Sequence, residues 1–158
     1  MAHSLGIAVW GIILDEKGRV LLCHRTDQDL WNLPGGGLEA GETPWEGCIR
    51  EVKEETGFDV EIEKLTGLYF KPETDGMGMA FRCRITGGAM TLNDEADRIE
   101  YFAFEDFPEN TNKRQVERVR DALYEPDKVH LKVQIKINYS PIRANRRIRK
   151  IVYETKEV

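Results

Sequence analysis

Residues 43 to 58 constrain this chain more than any other stretch, because they specify one helix from its first residue to its last. Thr43 is an N-cap, Pro44 follows at the first helical position, and Glu46 completes a capping box. Gly57 supplies the residue at which a helix ends in a left-handed turn. Between them Trp45, Cys48, Ile49, Val52 and Thr56 recur at spacings of three and four, which predicts one buried stripe. Glu51, Glu54 and Glu55 stand at i, i+3 and i+4, so three carboxylates share another face. A helix of this kind needs a second layer to bury its stripe.

The flanking sequence supplies strands. Residues 3–14 predict a buried strand, with Ile7, Val9, Gly11 and Ile13 on one side and apolar residues on the other as well. Asp15-Glu16-Lys17-Gly18 is a turn, and Arg19 to Cys23 is a second strand, which predicts a hairpin. Trp31 to Pro34 lead into Gly35-Gly36-Gly37, where backbone can be approached closely. Further strands are expected over 58–70, 79–85 and 100–104. A second helix is expected over 112–123, with Val116, Val119, Ala122 and Leu123 as its apolar face. From Val129 to Tyr139 apolar and polar residues alternate, the pattern of a half-buried strand that extends the sheet or pairs with a second subunit. The class is α/β.

A chain of 158 residues is long enough for one domain with its own core. The charge divides it. Residues 1–127 hold 14 basic and 26 acidic side chains, and residues 128–158 hold 9 and 2. The expected organisation is one domain over 1–127 with a basic C-terminal extension over 128–158. An acidic body does not suit a nucleic-acid clamp. Arg143, Arg146, Arg147, Arg149 and Lys150 leave three readings of the tail: phosphate binding on RNA, pairing with a second subunit in a homodimer, or solvated terminus. Nucleic acid is the least favoured, since no aromatic series accompanies the charges. Cys23, Cys48 and Cys83 are an odd number with no CxxC pair, which argues against a disulfide framework or a zinc site. Cys23 and Cys48 are expected in the core, and the location is expected to be cytoplasmic, with no membrane span or secretory leader.

Three neighbouring carboxylates repel unless protons or a cation neutralise them. Oxygen donors of this kind favour Mg²⁺ or Mn²⁺, and Mg²⁺ completes its shell with water and substrate phosphate. The helix therefore points to a phosphate-bearing ligand bridged by a divalent ion.

The wider spacing is more specific still. Gly36, five residues, Glu42, seven residues and then Arg50-Glu51-Val52-Lys53-Glu54-Glu55-Thr56-Gly57-Phe58 match the Nudix box at all nine specified positions. Chance would produce the seven fixed identities in on the order of one chain in a million. The chain thus resembles the Nudix family over roughly residues 3–123. The resemblance implies a mixed β-sheet sandwiched between α-helices, here with an added C-terminal strand. It also implies a hydrolase of nucleoside diphosphates linked to another moiety. By resemblance Glu51, Glu54 and Glu55 are the box's metal ligands, joined by the backbone carbonyl of Gly35. Arg50 orients the carboxylates and Glu42 supports them. Glu95, five residues before Glu100-Tyr101, resembles a further metal-reaching glutamate. Arg25 resembles the family's phosphate-binding arginine. Glu51 is the first candidate for general base and Glu95 the second.

The box says little about the substrate. Pro72 lies 15 residues after Gly57, near where ADP-ribose hydrolases of the family carry a proline, though turns between strands often hold one. Asn110 and Asn112 stand near a base-binding asparagine of the oxidised-guanine enzyme, and Asn112 is taken as a substrate-binding candidate beside its plainer role as a helix cap. Trp10, Trp31, Tyr69 and Phe70 are candidates for base stacking or for the core. ADP-ribose-type and RNA 5′-end hydrolysis stand as alternatives. A non-catalytic nucleotide sensor is the alternative of another class, and the complete box favours catalysis.

Overall fold

A computed structural model describes residues 4–135 and the backbone of 154–157. The tail arginines lie outside the described residues, as does the part of the alternating segment beyond residue 135. The chain forms β1 (Gly6–Ile13), β2 (Val20–Arg25), β3 (Trp31–Asn32), β4 (Gly35–Gly37), α1 (Pro44–Thr56), β5 (Phe58–Lys71), β6 (Gly76–Gly88), β7 (Ala96–Phe102), α2 (Lys113–Tyr124), β8 (His130–Ile135) and β9 (Glu154–Glu157). A six-stranded mixed sheet runs β4-β1-β6-β5-β8-β9, and a separate three-stranded sheet runs β3-β2-β7. β1 is parallel to β6 and β5 to β8; the other pairs are antiparallel.

The two helices lie on opposite faces of the six-stranded sheet. Cys48 and Val52 of α1 pack into one core with Val9, Ile13, Phe81 and Cys83. Val119 and Ala122 of α2 pack into another with Ile12, Leu22, Trp31 and Tyr69. β1 thus sends alternate residues to opposite helices, which is why its sequence is apolar on both sides. At Gly11 the approach of α1 is closest: a Cβ there would lie 2.7 Å from Val52 Cγ2. All three cysteines are buried free thiols.

Both ends of α1 form as the sequence predicts. Thr43 and Glu46 make the reciprocal capping box, and Gly57 adopts φ 79° and donates its N–H to Lys53 O. Its stripe differs at the first turn. Trp45 is 52% exposed, and the inward position there is taken by Gly47, against which Leu38 is seated.

Two other expectations are corrected. β1 and β2 do not form an extended hairpin; after a single bridge between Leu14 and Val20 they enter different sheets. Asp15 accepts the N–H groups of Lys17 and Arg19 and so fixes the reversal. A turn of this kind dictates direction, not continued pairing, and β1 is already flanked by β4 and β6. The second correction is the facing of β8. It extends the sheet, but His130 and Gln134 are fully buried while Val129 and Leu131 are 47% and 45% exposed. The inward face meets polar residues of α2. Arg118 Nη2 donates to Gln134 Oε1 at 2.8 Å, Gln134 Nε2 donates to Glu117 at 2.7 Å, and Lys132 Nζ donates to Asp121 at 2.8 Å. Period two establishes two faces; the partner element decides which one is inside.

Gly57 tests the end of α1. A Cβ there would lie 2.3 Å from Ala89 O, in a left-handed backbone conformation. Gly57→Ala is expected to lower unfolding free energy by about 1–3 kcal/mol, read as a lower urea midpoint at unchanged m-value.

Candidate active site

The N-terminal half of the box is built to let backbone and carboxylate meet. Gly35 has φ 155°, and a Cβ on it would lie 2.0 Å from Val9 O. A Cβ on Gly36 would lie 2.7 Å from Glu51 Oε1. Only glycines allow β4 to pair with β1 while α1 lays its glutamates across it.

Arg50 organises the acidic face. Its Nε donates to Glu42 Oε1 at 2.5 Å and its Nη2 to Glu42 Oε2 at 2.9 Å. Nη1 donates to Glu51 at 2.9 Å and to Glu54 at 3.1 Å, and Nη2 also reaches Gly37 O at 3.1 Å. The paired guanidinium holds the Glu42 carboxyl down at about 2 and itself becomes harder to deprotonate. Glu54 is the outermost of the three helix acids, with its side chain 57% exposed.

Glu55 has the opposite environment. It accepts the N–H of Gly35 at 3.3 Å, yet burial, joined by the charges of Glu51 and Glu95, raises its pKa to about 8. Burial also raises Glu51. Ionisation of Glu55 is thus opposed by its own surroundings.

Arg50, Glu51, Glu54 and Glu55 line one cleft of about 760 Å³ together with Arg25, Asp27, Gly35, Gly36 and Glu95. Of the candidates from the sequence, Arg25, Gly35, Arg50, Glu51, Glu54, Glu55, Glu95 and Asn112 are gathered there, while Glu42 and Asn110 are not in its lining. Arg25 is turned onto Asp27, donating from Nε at 2.7 Å and from Nη2 at 2.6 Å. Asn112 caps α2 by accepting the N–H of Arg114 at 3.2 Å, and it faces the cleft as well. Of the aromatic candidates, Trp10 lines the cleft while Trp31 and Tyr69 are buried in the core. Pro72 opens a short 3-10 turn between β5 and β6 and does not line the cleft.

Three contributors were not singled out in the sequence. Asn32 lines the cleft with a buried Oδ1 that has no partner. Gln115, on the first turn of α2, accepts the N–H of Leu33 and holds the segment before Gly35. Asp27 occupies Arg25. Asp27 in a loop and Asn32 in a two-residue strand carry no periodicity to mark them, and Gln115 is a polar residue off the apolar face by which α2 was read.

The donor set fits a hard divalent cation in kind. Among the described residues no three acidic, histidine or cysteine side chains close on one point at ligand distance. Mg²⁺ as a rule takes few carboxylates and keeps several waters. The buried Glu55, protonated only because its charge is uncompensated, is the side chain a cation would most relieve. Glu51, Glu55 and Glu95 would hold the ion, with Glu54 at the outer edge.

Comparison with known proteins agrees with this geometry. The NUDIX domain model matches residues 4–122. A MutT-like protein of Streptomyces ambofaciens is 37% identical over 121 residues, 77% of each chain. An ADP-ribose pyrophosphatase of Methanocaldococcus jannaschii is 35% identical over 109 residues, 65% of this chain and 64% of that one. Among solved structures, a NUDIX hydrolase from Nitrosomonas europaea superposes with a TM-score of 0.77 at 24% identity, covering 86% of this chain and 82% of its own. The box, the fold on which it sits and the matched span together place the chain in the Nudix family of hydrolases.

Proposed function

We infer that the chain is a divalent-cation-dependent pyrophosphohydrolase of a small nucleotide, cleaving a nucleoside diphosphate linked to a further group. The observation that carries this is the meeting of the buried Glu55 carboxyl with Glu51 and Glu95 in one cleft that also holds Arg25. Mg²⁺ is the expected ion and Mn²⁺ its substitute. When bound, the cation would stabilise charge on the phosphate oxygens and acidify a water.

The chain's own groups supply the rest. Arg25 exchanges Asp27 for a substrate phosphate, a trade of one charge-assisted pair for another. Arg50 holds Glu51 and Glu54 in place through its hydrogen bonds. Glu51, partly buried and pushed above its ordinary value, accepts the proton of the attacking water. Glu95 is the second choice for that step. The cleft is also lined by Trp10, Asn32, Asn112 and Gln115, an indole and three amides. Neutral groups with both donors and acceptors suit a nucleobase better than a further phosphate. Relatives are named for ADP-ribose, 8-oxo-dGTP and RNA 5′ ends, so these define the substrates to compare.

A screen over ADP-ribose, 8-oxo-dGTP, diadenosine polyphosphates and 5′-triphosphate RNA, read by chromatography of the phosphomonoester and pyrophosphate products, should show turnover that disappears with EDTA. No turnover of any of them with Mg²⁺ or Mn²⁺ would remove the enzymatic reading of the site. Glu51→Gln should lower kcat at least about 100-fold on the best substrate.

The metal-free protein offers a pH test. Glu55 is raised by burial, so its effect on stability is most favourable below the unfolded value of 4.5 and is lost as pH rises through about 8. Glu55→Gln should therefore raise the Tm of EDTA-treated protein at about pH 8.5 relative to wild type, while reducing the Tm gain on adding Mg²⁺. Equal Tm values in EDTA would show that the carboxyl is not buried as described.

A further inference from the structure

The ring of His24 is 7% exposed and has a carboxylate on each nitrogen. Nδ1 lies 2.6 Å from Asp97 Oδ1, and Nε2 lies 2.8 Å from Asp29 Oδ1. A neutral imidazole has one N–H, so one of these contacts would set a lone pair against a carboxylate; only the imidazolium donates to both. Its other neighbours are Trp31, with ring centroids 5.1 Å apart, and Arg98, the cross-strand partner on β7. Arg98 opposes the charge of His24, and the two aspartates outweigh it, so the ring is held protonated above its ordinary range.

The position of this ion triad gives it a task. His24 pairs with Arg98 while Arg25 pairs with Ala96, so Asp97 is the extra residue of a β-bulge between β2 and β7. Bulges beside active sites re-aim side chains. Here the re-aimed residue is Arg25, which lines the cleft, and Asp97 stands two residues after Glu95. The other carboxylate, Asp29, belongs to the loop that carries Thr26 and Asp27, and it is further held by Asn110 Nδ2 at 2.7 Å. Thr26 in turn donates its N–H to Glu95 O at 3.1 Å and its hydroxyl to Asp94 O at 2.7 Å. One imidazolium thus ties the strand of Arg25, the strand of Glu95 and the loop between β2 and β3.

We propose that His24 is a positioning residue that, as an imidazolium clamped between Asp29 and Asp97, locks the bulge which aims Arg25 at the substrate phosphates. The inference rests on the phosphate role given above to Arg25. Loss of the proton breaks one arm of the clamp and frees either the β2–β3 loop or the bulge. Phosphate binding then weakens, while the groups around the attacked phosphorus stay in place. The sign follows from the raised ring: the clamp is complete at low pH and is lost as pH rises through the folded value.

Two measurements test this on the full chain. Long-range ¹H–¹⁵N spectra of the imidazoles read protonation without turnover; His24 should titrate above the ordinary histidine value of about 6.5, with both nitrogens protonated below its midpoint. Asp29→Asn, at a side chain 83% exposed and so safe for folding, should move the His24 midpoint to lower pH. The Kd for pyrophosphate, compared between wild type and variant at each pH, should be raised about tenfold by His24→Gln at about pH 6.5, with the ratio shrinking as wild-type His24 titrates. On the best substrate of the screen the same variant should raise KM by a similar factor and leave kcat within about threefold. If His24→Gln does not fold, Asp29→Asn carries the binding arm with a smaller rise in Kd. A His24 midpoint at or below about 6.5, or variants whose pyrophosphate Kd matches wild type across pH, would overturn the proposal. Failure of the nucleotide screen would leave the ring spectra and pyrophosphate Kd decisive on their own. Wild-type protein that bound no pyrophosphate would sink the phosphate role of Arg25, and this inference with it.

Discussion

Carboxylates gathered in a cleft repel one another, and the structure depends on how that repulsion is contained. Arg50 contains part of it by engaging Glu42, Glu51 and Glu54 at once. Glu55 lies beyond this network and avoids the repulsion by holding a proton. A helix under such strain keeps its place only if its opposite face is fixed firmly. The close contact of Val52 with Gly11, the burial of Cys48 against the sheet and the caps at Thr43 and Gly57 provide that anchorage. Rigid support on one side is what permits unsatisfied charge on the other.

The cleft is then assembled from elements distant in the chain. α1 contributes acids, β2 contributes Arg25, the segment before β7 contributes Glu95, and the start of α2 contributes Asn112 and Gln115. Gln115 couples the last of these to the box by holding the N–H of Leu33. His24 couples β2 to β7 through a bulge. Gln115 and His24 thus brace different parts of the cleft's surroundings, one through a neutral contact and the other through charged ones.

The basic side of the fold shows how polar residues can replace an apolar layer. Between α2 and β8, Arg118 lies against the rings of Trp10 and Tyr69, at 4.1 and 5.1 Å from their centroids, and bonds to Gln134. Asp121 accepts from both Tyr69 and Lys132. This network explains why the alternation of residues 129–135 was legible as a strand while its facing was not. Apolar residues are inward by default, but Gln134 finds partners on α2 that Leu131 has no means to make. For the same reason Trp45 fits the helical stripe by spacing and yet is exposed, since Gly47 and Leu38 already close the first turn.

α1, its caps and its three carboxylates were determined by the sequence alone, because helical periodicity and capping act over four residues and need no distant partner. The identity of the box followed from spacing within 23 residues, and through it the family and its fold. Tertiary structure alone decided that β1 and β2 part into two sheets, that β8 turns its polar face inward, that Asn32 and Gln115 join the cleft, and that His24 lies between two aspartates from different segments. Each of these depends on contacts between residues far apart in the chain, where no local period records which surface will be met.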